Sequence, residues 1–197
     1  MKTDALKAQI DFIIELDKLK QVFRQTLLID DCRQENDAEH SWHLALMACL
    51  LSEHAREQNF NIFRVVKMLL IHDVVEIDAG DTFAYDVGGN KERLKRERMA
   101  ADRLFNMLPS DQAGEFRSLW DEFEARKTPE AKFATAIDRF QPLLLNYHAG
   151  GSTWRRHGVK RTQVVERNRH IAEGAPILWE LATELIDKAV EEGKLED

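Results

Sequence analysis

An all-α fold is the class this sequence predicts, and two observations predict it. Apolar residues recur at three- and four-residue spacing through almost the whole chain, and Gly and Pro collect at the edges of those periodic stretches. Strict two-residue alternation nowhere persists long enough to argue for a sheet. With 197 residues the chain suits one sizeable core better than two, so a single domain over 1–197 is expected.

Taken in order, residues 4 to 28 place Ile10, Ile13, Ile14, Leu16, Leu19, Val22 and Phe23 close to one stripe, which predicts a first helix. The polar stretch Ile29 to Asp37 interrupts it. Asn36 with Glu39 three residues on resembles a capping box, opening a helix that carries Leu44, Met47, Ala48 and Leu51. Asn61 opens a third helix through Val65, Met68, Leu69 and His72 that ends near Gly80. Residues 81–90 read as a loop with a Gly88–Gly89 turn, and a densely charged helix follows to Leu108. Pro109–Ser110 precedes another helix. Thr128–Pro129 is a cap and first-turn pair for a helix holding Phe133, Ile137, Leu144 and Leu145. Gly150–Gly151 ends that helix, and two more are expected to close the chain. Trp42, Trp120 and Trp179 fall at helical spacing and read as core. There is no internal repeat, low-complexity tract or linker.

Composition excludes several functions. The 28 Lys+Arg against 35 Asp+Glu leave a net charge of −7, which argues against a nucleic-acid polymer as partner but allows a nucleotide. No apolar stretch approaches the roughly 20 residues of a membrane span, and the acidic N-terminal segment lacks a signal-peptide core, so a cytoplasmic location is expected. Of the two cysteines, Cys49 lies in the apolar run 44–51 and reads as a buried free thiol; neither suggests a disulfide framework.

The chemistry centres on Leu69-Leu-Ile-His72-Asp73-Val-Val-Glu76-Ile-Asp78-Ala-Gly-Asp81. A His-Asp pair alone is weak, but here three titratable residues sit in an otherwise apolar helix, where unpaired charge is expensive. His72 and Glu76 are four apart, and Asp73 and Glu76 three apart. The plain alternative is that His72 satisfies a core hydrogen bond while the acids pair with arginines. Against it, the same pattern recurs twice: His40 opens an apolar helix, and Asp138 interrupts Phe133–Ile137 and Leu143–Leu145. A divalent ion held by His40, His72, Asp73 and Asp138 explains all three. Mixed nitrogen and oxygen donors favour Mn, Co, Fe, Ni or Zn over Ca or Mg. Such an ion activates water and polarises a phosphoryl oxygen, with Glu76 as the carboxylate beside it. His43, one turn after His40, reads as a packing residue. Arg33 reads as a partner of phosphate or of Asp30 and Asp31. Lys91 to Arg98 reads as a solvated face, and Arg155, Arg156, Lys160 and Arg161 as a basic surface patch near Trp154.

In the order His40, His72-Asp73, Asp138, the chain resembles the HD-domain metal-dependent phosphohydrolases. It is most similar to the YfbR-like 5′-deoxynucleotidase branch, through Glu35-Asn-Asp-Ala-Glu39-His40-Ser41, through His72-Asp73-Val-Val-Glu76 with Gly80-Asp81, and through Asp138-Arg-Phe-Gln-Pro-Leu-Leu-Leu. The resemblance covers roughly residues 15 to 150. It implies a helical bundle, one divalent metal, hydrolysis of nucleoside 5′-monophosphates, and Glu76 and Asp81 as catalytic carboxylates. It also implies Arg24 as a phosphate ligand, although the tryptophan that commonly follows this arginine in the family is absent from Arg24-Gln-Thr-Leu. A blunted preference for deoxy over ribo sugars is the corresponding expectation. The expected partner is a small nucleotide or phosphate ester, with a homodimer left open. The alternatives are another HD activity, on a triphosphate or cyclic dinucleotide, and a non-catalytic metal- or nucleotide-binding module.

Overall fold

A computed structural model describes residues 2–30, 32–85 and 90–197; the expected Gly88–Gly89 turn lies outside the described residues. The chain is a helical bundle with one small sheet. Its helices are α1 (Lys2–Leu16), α2 (Asp37–Leu51), α3 (Ile62–Ile71), α4 (Glu76–Ala79), α5 (Asn90–Phe105), α6 (Ser110–Ala125), α7 (Pro129–His148), α8 (Ser152–Arg156), α9 (Arg161–Asn168), α10 (Ile171–Gly174) and α11 (Pro176–Glu191). No described helix is long and apolar enough to cross a membrane.

The first helix departs most from expectation. It stops at Leu16, gives way to a 3₁₀ turn over Asp17–Gln21, and continues as strand β1 (Phe23–Leu27), paired antiparallel with β2 (Gln34–Asn36). The β1–β2 ladder is irregular, since Phe23 faces Asn36 but Leu27 faces Gln34. The expected stripe is also turned outward: Ile10, Ile13, Ile14 and Phe23 are exposed, while Phe12 and Leu19 are buried. Periodicity identified a helix but not the face its neighbours cover. In α1 that face carries Phe12, which stacks edge-on against Phe116 of α6.

In α2 the capping box forms as expected, Asn36 Oδ1 accepting from the Glu39 amide at 3.0 Å while the Glu39 carboxylate accepts from the Asn36 amide. Its core face is Leu44, Met47 and Ala48, so Leu46, Leu50, Trp42 and Cys49 point outward. This corrects two expectations. Cys49 is an exposed free thiol, and Trp42 is 63% exposed, because an apolar run longer than one helical stripe cannot all be buried.

Helix α7 is the centre of the core and packs against α2, α3, α6, α10 and α11. Thr128 caps it and Pro129 fills its first turn as expected. Gly174 lets α10 lie directly on α7, since a Cβ there would stand 2.2 Å from the Lys132 carbonyl. After α7 come four helices rather than the two expected, three of them short. Trp120 and Trp154 are among the largest fully buried side chains, while Trp179 is partly buried.

Candidate metal centre and cavity

The segment around His72 is not a continuous α-helix. After α3, residues His72–Val75 form a 3₁₀ turn before α4, and Gly80 ends α4 with φ +72°, a conformation glycine adopts at little cost. Tightening the chain there turns His72 and Asp73 together toward α2 and α7. His40 arrives from the first turn of α2 and Asp138 from the middle of α7.

The four residues converge in the core. His40 Nε2 lies 3.3 Å from Asp138 Oδ1 and 3.9 Å from Asp73 Oδ2, while His72 Nε2 lies 3.1 Å from Asp73 Oδ1 and 3.7 Å from Asp138 Oδ1. One donor atom each from His40, His72 and Asp73 falls within 4.8 Å of the others. The opposite ring nitrogens are already engaged. His40 Nδ1 donates to Gln141 Oε1 at 3.1 Å, with Glu35 Oε2 at 3.4 Å, and His72 Nδ1 donates to the Leu69 carbonyl at 2.9 Å. Both Nε2 lone pairs can therefore face the two carboxylates, which is how metal-binding imidazoles are usually oriented. His72 Nε2 is buried and makes no hydrogen bond. This orphaned nitrogen, the facing carboxylates and the buried setting fit a divalent cation.

The electrostatics carry the same demand for positive charge. Burial disfavours charge on His40, yet the Asp138, Glu35 and Asp73 carboxylates outweigh it and raise its pKa to about 9. His72 is raised for the same reason, by Asp73 and Asp138 against the cost of burial. Burial likewise works against the Asp138 carboxylate, but Arg139 and the two histidines hold it well below the usual range.

A second buried group adjoins the first: carboxylate oxygens of Asp37, Asp73 and Glu76 lie within 4.8 Å of one another. Arg24 bridges this group, its Nη1 donating to Asp73 Oδ2 at 2.7 Å and to Asp37 Oδ1 at 3.0 Å. Burial and the charge on Asp73 push Asp37 up to about 6, and the same burial raises Glu76 well above the usual carboxylate range. Asp81 is raised by burial too, though Arg24 opposes it. Glu76 thus joins Asp37 and Asp73, and a 3₁₀ turn rather than continuous α-helix lies between it and His72.

His72, Asp73, Glu76, Asp81, Asp138 and Arg24 all line one cavity of about 130 Å³. Arg33 does not: its guanidinium makes a two-pronged pair with Glu39 at 2.8 and 2.7 Å, displacing the expected pairing with phosphate or its neighbouring acids. His43 accepts from Gln141 Nε2 at 3.2 Å, so it steadies the residue that orients His40. The charged run 91–98 is not wholly a solvated face, since Glu97 is 3% exposed and Arg93 pairs with it at 3.0 Å on the cavity wall. The basic patch is exposed at Arg155, Arg156 and Lys160, and Arg161 pairs with Asp187. Sequence reasoning missed Glu35, Asp37, Gln141 and Arg139. Gln141 stands three residues after Asp138, one helical turn away, and that spacing was the available signal.

A model of the HD domain family matches residues 16–179 of the chain. The protein belongs to the HD domain family. A crystal structure of a predicted metal-dependent phosphohydrolase from Magnetospirillum magnetotacticum shares its fold with TM-score 0.96 and 51% identity, covering 100% of this chain and 98% of that one. The 5′-deoxynucleotidase HDDC2 of Bos taurus is 29% identical over 136 residues, 68% of this chain and 64% of its own. This HD protein is also 28% identical to the 5′-deoxynucleotidase ECA3034 of Pectobacterium atrosepticum, over 73% of this chain and 76% of that one. The His/Asp cluster of this HD protein is suited to a metal ion.

Proposed function

We propose that this HD protein is a metal-dependent phosphohydrolase of nucleoside 5′-monophosphates, acting as one cytoplasmic domain over 1–197. The observation that carries the reading is the pair of buried imidazoles with Nδ1 engaged and Nε2 facing Asp73 and Asp138, the carboxylates and His72 lining a cavity that Glu76 and Asp81 also line. His40, His72, Asp73 and Asp138 would hold one divalent ion, with Mn, Co, Fe, Ni or Zn suited to the donor set. That ion supplies Lewis acidity to a phosphoryl oxygen. Glu76, made more basic by burial, takes the proton of the attacking water. Asp81, whose carboxyl also holds its proton more tightly than usual, returns one to the departing alkoxide. Arg24 braces Asp73 and adds positive charge beside the phosphate.

The relatives named 5′-deoxynucleotidase support the substrate class. The test is phosphate release from matched deoxy- and ribonucleoside 5′-monophosphates, each with several divalent metals. Turnover of both series is expected, with the deoxy form favoured by no more than about 10–200-fold, the range that small shape differences provide. Activity confined to a triphosphate or a cyclic dinucleotide would overturn the reading. A homodimer is the proposed assembly, since Trp42, Leu46 and Leu50 leave an apolar stripe exposed on α2. Light scattering that gives a monomer mass at micromolar concentration would refute it.

A further inference from the structure

Of the proposed metal ligands, His72, Asp73 and Asp138 line the cavity, and other residues line it beside them. The same wall carries Arg93, Arg126, Arg139 and Arg167 against Glu97 and Glu124, in a protein whose net charge is −7. Arg93 is engaged, with Glu97 at 3.0 Å and Glu124 at 3.8 Å. The others are not. Arg139 is 17% exposed, its Nε is buried without a hydrogen bond, and its nearest carboxylate oxygen is Asp138 Oδ2 at 3.8 Å. Arg126 and Arg167 line the cavity with no ion pair among the described residues. Burial also pushes the Glu97 carboxyl up to about 7, which weakens the negative charge opposing these cations. Guanidinium groups gathered on a cavity wall with more donors than the nearby carboxylates can take up call for an anion, and their planar forks suit phosphate oxygens.

We propose that Arg139, Arg126 and Arg167 form a second anion subsite, beside the metal ligands, that takes a phosphoryl group other than the one hydrolysed. Resting on the phosphohydrolase reading above, this makes nucleotides with two separate phosphates, such as nucleoside 3′,5′-bisphosphates, better substrates than simple monophosphates. The opposing view is that Arg139 only neutralises Asp138, a role that needs no ligand.

Two measurements on the metal-loaded protein decide between them. In calorimetric titration with inorganic phosphate, the native protein should bind two equivalents, and the Arg139→Gln/Arg167→Gln variant one. In turnover, kcat/KM for the bisphosphate should exceed that for the matching monophosphate, and each substitution should cut that ratio about tenfold, as expected for one lost charge-assisted hydrogen bond. Arg139→Lys, which keeps the charge, should retain part of the advantage. If Arg139→Gln does not fold, Arg167→Gln on α9 alone decides the matter. A single phosphate equivalent in the native protein, or two equivalents that survive both substitutions, would overturn the subsite. Should no nucleotide be turned over at all, the hydrolase reading fails and the phosphate stoichiometry still judges the subsite.

Discussion

Glu76 sits one turn past the proposed ligand pair, and burial together with the charges of Asp73 and Asp37 raises its pKa well above the usual carboxylate range, which makes it the stronger base. Because the proposed ligand set of His40, His72, Asp73 and Asp138 does not include it, Glu76→Gln is expected to keep the ion and lose about 10²–10⁴-fold in kcat. Elemental analysis beside single-turnover rates checks this; loss of the ion in the variant would make Glu76 a ligand instead. The histidines lead to a pH dependence. His40 has its pKa raised to about 9 and must shed its proton to bind a cation. Loading at neutral pH therefore releases a proton, and metal affinity should fall by up to about tenfold for each pH unit below that value. Titrations at three pH values between 6.5 and 8.5 would show the trend, and a flat profile would remove His40 from the ligand set. At this scale the motif residues were legible, because a charge inside an apolar stripe is anomalous in one dimension. Arg24 was read as a phosphate ligand, but its position between Asp37 and Asp73 depends on a strand and a 3₁₀ turn that the sequence did not announce.

Elements bring these residues together, and their ends matter more than their middles. The capping box at Asn36 and Glu39 sets where α2 begins and thus where His40 points. The close contact of α10 with α7 is set by Gly174, whose missing side chain leaves room for the Lys132 carbonyl. Gly174→Ala is expected to destabilise the protein by about 1–3 kcal/mol, as overpacking does. Thermal unfolding of the variant tests it, and an unchanged midpoint would mean that α10 shifts freely. Helix caps at Asn36, Asn61 and Thr128 were readable because a polar side chain before an apolar stripe satisfies exposed amides locally. The strand pair was not readable. Phe23–Leu27 continues a helical pattern, and only pairing with Gln34–Asn36 selects the extended form.

Across the whole molecule the centre draws on residues almost a hundred positions apart, from His40 to Asp138, packed into one core. Removing the ion should leave several buried charges uncompensated, so the loaded protein should be the more stable form. At a free metal concentration about a thousand times the dissociation constant, the gain is about 4 kcal/mol. Unfolding with and without chelator measures it, and identical midpoints would argue that the ion does not bind the folded core. The sequence alone determined the helical class and the caps that open α2, α3 and α7, and it singled out the donor set proposed for the metal, since periodicity, caps and misplaced charge are local signals. Only the tertiary structure decided which face of each helix is covered, that Cys49 and Trp42 point outward, and that Arg33 turns to Glu39. It also decided that Arg93, Arg126, Arg139 and Arg167 share a cavity wall with His72, Asp73 and Asp138. The reason is physical: a side chain's partner across the core is set by how helices pack, and packing depends on residues far away in the chain.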